Sequence, residues 1–96
     1  MLIETLTFRL ADAADEKTFL ETDRLVQTEF MNNQTGLLRR TTARGPDGEW
    51  LVVVLWNSER DADASRSKAQ AHPSAMGFGA LLDGETVRMK RYATLD

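Results

Sequence analysis

The alternation of hydrophobic and polar positions is clearest in the segment 48–57, which reads GEWLVVVLWN. Alternate positions place two tryptophans and two valines on one face, and two leucines with Val53 on the other. Because side chains alternate across a β-strand, a strand that is apolar on both faces needs cover on both. The segment therefore predicts a central strand with helices against one face and a second cover against the other.

Weaker periodicities predict the rest of the secondary structure. Alternation predicts strands at 2–10, 37–44 and 85–95, and apolar positions at helical spacing predict helices at 16–31, 59–71 and 73–82. Asp12 or Asp15 is expected to cap the first helix, and Ser58 the second. The turn sequence Gly45-Pro46-Asp47-Gly48 makes the strands on either side of it antiparallel neighbours.

The order strand, helix, strand, strand, helix, strand predicts an α+β fold, the ferredoxin-like βαββαβ arrangement with a four-stranded antiparallel sheet. Right-handed crossovers place the first strand beside the third in the centre, with the helices on one face. The other face keeps a row of apolar residues, and a second copy of the chain is its simplest cover. We therefore expect one domain, 1–96, that pairs as a homodimer through the helix-free face of its sheet.

The composition of the chain limits the classes of partner that the protein can bind. The 96 residues carry a net charge of −3, so no broad positive field is available to bind nucleic acid. The chain has no cysteine, which excludes disulfides and thiolate metal sites. Its longest apolar run is too short to cross a bilayer, and no secretory signal is present. The sequence predicts a protein without membrane or nucleic-acid partners, located in the cytoplasm.

Two passages carry a family resemblance. The segment 53–59, VVLWNSE, joins an apolar strand and a tryptophan to a serine-capped helix, and the segment 36–40, GLLRR, opens the preceding strand. They resemble the antibiotic biosynthesis monooxygenase-like branch of the dimeric α+β barrel superfamily, over essentially the whole chain. The resemblance implies a homodimer whose two sheets form a barrel, with a pocket in each subunit between sheet and helices.

The same resemblance supplies the functional hypotheses. Members include cofactor-independent oxygenases, haem-degrading enzymes and small proteins of no assigned activity. The leading expectation is a pocket for a small aromatic or polyketide-type molecule, in a cofactor-independent monooxygenase that needs no cofactor or metal. The alternative is a non-catalytic ligand-binding or assembly protein, because the fold alone does not determine chemistry.

Asp23 and Gln27 are candidate site residues on the first helix. They share a helical face with Phe19, Val26 and Phe30, where packing would favour apolar side chains. In the functional interpretation, Asp23 is a general base, Gln27 and Thr7 orient a polar ligand, and Phe30 belongs to the pocket wall. In the structural interpretation, Asp23 pairs with an arginine such as Arg9 or Arg24.

His72 is the only histidine in the chain, so a histidine-cluster metal site is excluded. It is interpreted either as a helix-end residue or as an acid or base of the pocket. Haem binding through His72 is a weaker alternative. The resemblance implies that haem-degrading relatives also use a tryptophan on the second helix and an asparagine on the first strand, and this chain lacks both.

The tryptophans and arginines allow two interpretations each. Trp50 and Trp56 would stack on an aromatic substrate or pack in the core, with Trp56 the candidate substrate-binding residue. Six cations of the second and last strands would form a basic patch or act as solvated edge-strand charges that discourage sheet aggregation, and the acidic chain favours the second interpretation. They are Arg39, Arg40, Arg44, Arg88, Lys90 and Arg91.

Overall fold

The computed structural model describes residues 1–95. The strands within that range are β1 Leu2–Phe8, β2 Leu37–Arg44, β3 Trp50–Trp56 and β4 Arg88–Ala93. The α-helices are α1 Glu16–Leu25, α2 Glu59–Ala69 and α3 Pro73–Ala80. A π-helical turn, Val26–Phe30, and a 3-10 turn, Met31–Asn33, continue α1. The order of strands and helices is the predicted one.

The sheet, in the part of the chain described, has the order β2-β3-β1-β4. All three pairings are antiparallel. The most apolar strands, β1 and β3, are therefore central, as the crossover argument predicted. The α+β, ferredoxin-like prediction is confirmed.

Local signals set the element boundaries. Asp15 caps α1 by accepting a hydrogen bond from the backbone N–H of Thr18 at 2.7 Å, and Ser58 caps α2 in the same way. In the turn before β3, Asp47 and Gly48 adopt φ values of 58° and 80°. Asparagine, aspartate and glycine tolerate this left-handed backbone best, which explains why aspartate and glycine occupy these two positions.

Two predicted strands are shorter in the structure. β1 ends at Phe8, although Leu10 still pairs with Leu82 in an isolated bridge. β4 begins at Arg88 because Gly84–Thr86 forms a 3-10 turn, in which Asp83 accepts a hydrogen bond from the Glu85 N–H. These short-range hydrogen bonds compete with strand pairing, so the alternating pattern alone placed both boundaries too far out.

An aromatic cluster fills one end of the layer between sheet and helices. Phe19 of α1 is fully buried and lies 4.8 Å from Trp50, 5.7 Å from Phe8 and 5.4 Å from Phe78, measured between ring centroids. The tilted and edge-on geometries are those that aromatic rings favour. This cluster joins β1, β3, α1 and α3 in one core.

The other end of this layer is covered by α2, which carries no large apolar side chain. Its buried residues are Ala62 and Ser65. Ion pairs attach it to the sheet, because Arg91 of β4 contacts Asp63 at 2.6 Å and Arg66 approaches Glu4 of β1 at 3.7 Å. Small side chains under a helix leave unfilled volume, and the cavity described below lies there.

The helix-free face of the sheet presents the remaining positions of each strand. Leu51, Val53 and Leu55 of β3 are partly exposed there, with Ile3 of β1 beside them. A shallow cavity of about 210 Å³ on this face is lined by Ile3, Arg39, Thr41, Val53 and Leu55. The predicted apolar row is therefore present, and no helix of the described chain covers it.

Within residues 1–95, none of the helices has both the length and the apolar character needed to cross a bilayer.

Candidate functional site

A cavity of about 200 Å³ lies between the sheet and the helices. Most of its wall is apolar, and six of its lining residues are Val26, Phe30, Met31, Val52, Val54 and Phe78. A second cavity of about 460 Å³ shares part of this wall and continues beneath α2 toward Trp56. A concave apolar space with a few polar groups is the usual form of a small-molecule site.

The charged side chains that line the first cavity are Glu4, Arg40 and Arg66. Each comes from a different element: Glu4 from β1, Arg40 from β2 and Arg66 from α2. Since ionised groups in a mostly apolar wall need partners, the contacts of these three residues define the chemistry of the site.

Of the two arginines that line the cavity, Arg40 is the more buried. Its side chain is 5% exposed, and its Nη2 donates to Asp23 at 2.7 Å while its Nη1 donates to the Gln27 side chain at 3.5 Å. The guanidinium also lies over the Phe78 ring, 5.7 Å from its centroid. These contacts fix the group at the cavity wall and leave further N–H donors without a hydrogen bond to residues 1–95.

Glu4 belongs to an ion-pair network between β1, β4 and α2. Its carboxylate accepts a hydrogen bond from Arg91 Nε at 2.9 Å and lies 3.7 Å from Arg66 Nη2. Arg91 also donates to Asp63, and this bond, with the contact to Glu4, raises the pKa of the Arg91 guanidinium. Arg91 therefore stays charged and holds Glu4 at the cavity wall.

Solved structures of the same shape exist at low sequence identity. SnoaB, a cofactor-independent oxygenase from Streptomyces nogalater, superimposes with a TM-score of 0.81 at 15% identity, covering 99% of this chain and 93% of that one. A protein named antibiotic biosynthesis monooxygenase gives 0.78 at 11% identity over 100% of both chains. Rv0793 from Mycobacterium tuberculosis gives 0.72 at 18% identity, covering 99% and 95%.

This chain has the antibiotic biosynthesis monooxygenase-like fold. No protein-family profile matches the sequence, and the comparison with curated proteins found no match. The monooxygenase-like fold agrees with the resemblance drawn from the segments 36–40 and 53–59. It does not by itself assign an activity.

Asp23 lies behind the wall of this cavity. Its Oδ1 accepts hydrogen bonds from Arg40 at 2.7 Å and from the Thr42 hydroxyl at 3.0 Å. Arg9 and Arg24, the partners considered from the sequence, are not the arginines that bind it. Gln27 lies beside the same pair and donates to Asn32 at 2.6 Å. The structure thus brings Asp23 and Gln27 together, with Arg40 between them and the cavity.

Thr7 lies on the opposite face of the sheet. It pairs with Leu51 of β3, on the helix-free side. The structure therefore does not bring Thr7 to Gln27, and the predicted joint role fails for this geometrical reason. The alternation of β1 already separates Thr7 from Leu6 and Phe8, which face the helices, so the sequence pattern itself argued against placing Thr7 beside Gln27.

His72 is the N-cap of α3 and lies outside the first cavity. Its Nδ1 accepts a hydrogen bond from the Ser74 backbone N–H at 3.2 Å, and its ring lies 5.0 Å from the Phe30 ring. A histidine that binds iron through Nε2 normally donates its Nδ1–H to an outer acceptor, whereas here Nδ1 accepts a hydrogen bond. These contacts do not fit axial haem ligation; the haem hypothesis stays a prediction, which a Soret titration tests.

Phe30 and Trp56 both contribute to the cavity walls. Phe30 is 4% exposed and lines both cavities. Trp56 is 2% exposed, and its indole N–H has no hydrogen-bond partner among residues 1–95. Its burial agrees with a packing role for most of the ring, while one edge borders the cavity beneath α2.

Two of the charged residues that line the cavity, Glu4 and Arg66, were not predicted from the sequence, and the prediction for the third, Arg40, was wrong. Arg40 is not a solvated edge charge: it faces the helices and is buried against Phe78. Glu4 had a usable signal, since it is the one charge on the otherwise apolar face of β1. Arg66 had none, because an arginine on a polar helix is unremarkable in sequence. Within residues 1–95 no cluster of three metal-ligating side chains occurs.

Proposed function

We propose that this protein binds a small aromatic molecule in the cavity between sheet and helices, and oxygenates it without a cofactor. The observation that carries the proposal is the buried Arg40 guanidinium at the wall of an apolar cavity. SnoaB, which has the same fold, is a cofactor-independent oxygenase, and this supports the choice of reaction.

The cavity suits an aromatic body. Phe30, Phe78 and the valines of β3 offer flat and branched apolar surfaces, which favour transfer of a ring out of water. The alanines of α2 leave the volume that the ring would occupy. A largely apolar lining also keeps water away from a reactive intermediate.

Arg40 is proposed to stabilise the anion formed from the substrate. When a base removes a proton from an electron-rich phenolic ring system, negative charge develops on an oxygen of that system. A fixed guanidinium stabilises such charge more than water does, because its donors are already oriented. Asp23, predicted from the sequence as the base, is here proposed to hold Arg40 in place, because two donors already bind one of its oxygens.

Glu4 is proposed as the proton acceptor. It is the carboxylate in the cavity wall, and its hydrogen bond from Arg91 orients it. The substrate loses a proton from an acidic ring CH2 to Glu4, and the carbanion combines with O2 to form a peroxide on that carbon, which takes the proton back from Glu4 and becomes a hydroperoxide. Loss of water then leaves a carbonyl, so one O2 converts CH2 to C=O plus H2O.

Oxygen uptake with an anthrone tests the proposal, because this tricyclic phenolic ketone has an acidic ring methylene. We expect protein-dependent O2 consumption with one quinone formed per O2. Arg40→Gln should reduce the rate by about 100-fold, the size found when one oriented donor to a developing anion is lost. Arg24→Gln, on an exposed position of α1, is the matched control and should keep the wild-type rate.

Two results would reject the oxygenase proposal. Anthrone oxidation that does not exceed the protein-free rate, together with tight binding, would favour the non-catalytic ligand-binding alternative. An Arg40→Gln variant that is folded and fully active would show that the buried guanidinium has no part in the reaction.

We also propose that two copies pair through the helix-free face of the sheet. The partly exposed row of Ile3, Leu51, Val53 and Leu55 supports this, since an uncovered apolar strand face on a small protein favours association. Val53→Glu should convert the dimer to a monomer in light scattering, whereas Leu20→Glu, on an exposed position of α1, should not. A wild-type monomer at micromolar concentration would contradict the pairing.

The cytoplasmic location stays a prediction. Fluorescence microscopy of a tagged full-length chain in its host would test it.

A further inference from the structure

Arg66 lies at the edge of the cavity and has few hydrogen-bond partners. It lies on α2, its side chain is 51% exposed, and it lines both the first cavity and the one beneath α2. Unlike Arg40, it is not enclosed by partners. A half-exposed guanidinium that borders an apolar cavity is accessible both to solvent and to a bound molecule.

The contacts of Arg66 leave its donors available. Its Nη2 lies 3.7 Å from Glu4 Oε2, which is beyond hydrogen-bond distance, and its other contact is with the thioether sulfur of Met89. A thioether is a weak acceptor. Among residues 1–95, no oxygen accepts a hydrogen bond from Arg66, so its fork of N–H groups is open to a ligand.

Glu4 does not need Arg66 as its partner. Its carboxylate is already bound by Arg91 at 2.9 Å, and Arg91 is itself held by Asp63 at 2.6 Å. Arg66 can therefore turn to another acid without leaving Glu4 unpaired. On the opposite wall, the charge of Arg40 is compensated by its ion pair with Asp23. Arg66 is thus the cation of the cavity whose charge is least compensated.

We infer that the ligand of this cavity carries an ionised carboxylate, which Arg66 binds at the mouth while the aromatic body lies within. The inference rests on the proposed function and narrows its substrate class to acidic aromatics. A planar guanidinium can donate two parallel hydrogen bonds to a carboxylate. Such a pair orients the ligand in addition to attracting its charge. The acid group would fix the ring system between Arg66 and the inner Arg40.

A matched pair of probes tests the inference by calorimetry. 2-Naphthoate and 2-naphthamide have the same ring and nearly the same shape, but only the first is charged. We expect wild-type protein to bind the naphthoate at least about tenfold more tightly, as one charge-assisted pair at a partly exposed site would provide. The preference should decrease as NaCl is raised, since salt screens an exposed pair.

Variants distinguish the contribution of Arg66 to ligand binding from that of the other charges on α2. Arg66→Gln should remove the preference for the acid while leaving the affinity for the amide unchanged, and Arg66→Lys should restore part of it. Lys68→Gln, an exposed cation on the same helix outside the first cavity, should behave as wild type. Glu4→Gln removes the competing carboxylate near Arg66 and should strengthen the preference.

The outcomes are decisive in both directions. Equal affinity of wild-type protein for acid and amide, absence of binding of both, or a preference that survives in Arg66→Gln would overturn the inference. Circular dichroism establishes that each variant is folded, and Glu4→Gln supplies a second arm if Arg66→Gln does not fold. Binding is measured independently of oxygen uptake, so the two proposals can fail separately. A preference for the naphthoate without anthrone oxidation would reject the oxygenase and retain the acidic ligand. Anthrone oxidation without that preference would retain the oxygenase and reject the acidic ligand.

Discussion

The helices α1 and α2 cover the same face of one sheet in opposite ways. α1 inserts Phe19 into an aromatic cluster, and the turn that follows it adds Val26 and Phe30. α2 buries an alanine and a serine, and ion pairs at its surface tie it to β1 and β4. The comparison shows that one half of the layer supplies stability while the other half leaves room for a ligand.

The difference originates in side-chain volume. A large side chain fills the space under a helix at the density of a protein interior, whereas alanine does not reach the opposing strand. The charges follow the same division, since Arg66, Arg91 and Asp63 gather around α2, where no large apolar residue excludes them. Substitutions in the two halves should therefore affect different properties.

The largest effect is expected at Phe19. Phe19→Ala removes a fully buried ring that packs against three other aromatic rings, so the free energy of unfolding should fall by about 3–5 kcal/mol. Urea denaturation measures it. Leu20→Ala, the next residue on the same helix but exposed, should change stability by less than about 0.5 kcal/mol. Equal losses at both positions would refute the packed role of α1.

Asp23 connects the packed half to the site. Asp23→Ala leaves the Arg40 guanidinium without its carboxylate partner, and should lower the free energy of unfolding by about 1.5–3 kcal/mol, as for a hydrogen bond to a charged group. A double-mutant cycle with Arg40→Leu should show that the two losses are not additive. Additive losses, or unchanged ligand affinity in Asp23→Ala, would mean that Asp23 does not position Arg40.

A change in α2 should affect binding more than folding. Ala69→Leu places a larger side chain in the cavity, so it should weaken 2-naphthoate binding by at least about tenfold. Because the space is available, stability should change by less than about 1.5 kcal/mol. Ala64→Leu, on the exposed side of the same helix, is the control and should leave binding unchanged. Full binding by Ala69→Leu would place the ligand elsewhere.

The smallest effect concerns the caps of the two helices. The backbone N–H of Thr18 lowers the pKa of Asp15 from its ordinary 3.8. A carboxyl group with a lowered folded-state pKa stabilises the fold above its unfolded-state pKa, and this stabilisation is lost as pH falls through the folded-state pKa. In melting curves, the difference between wild type and Asp15→Asn should therefore shrink below about pH 4.

The cap of α2 is the control for this titration. Ser58 does not ionise in the acid range, so the loss from Ser58→Ala, about 1 kcal/mol, should be the same at pH 3 and pH 7. A pH-dependent loss at Ser58, or a pH-independent difference at Asp15, would show that the α1 cap does not act through its charge.

Much of the fold was predictable because its signals are local. The apolar run of β3, the turn at Asp47 and the caps at Asp15 and Ser58 depend on neighbours in sequence, and all of them appear in the structure. The ends of strands β1 and β4 differed, where turn hydrogen bonds replaced pairing, and the helices α2 and α3 end earlier than predicted, at Ala69 and Ala80.

The site was less predictable because its geometry depends on register. Leu38 interrupts the pairing of β2 with β3, and Arg40 and Thr42 lie on the same side of the sheet as Val52 and Val54. Alternation within β2 assigns arginines to both faces, so the sequence could not distinguish buried Arg40 from Arg39. Thr7 differs, because the alternation of β1 already places it on the face opposite Leu6 and Phe8.

The sequence by itself determined the type and order of the elements, since periodicity, turns and caps act over a few residues. The tertiary structure decided which charges meet across the cavity, because Glu4, Arg40 and Arg66 lie on three elements far apart in the chain. Their approach depends on strand register and on how closely α2 packs, and neither quantity is encoded in any single segment.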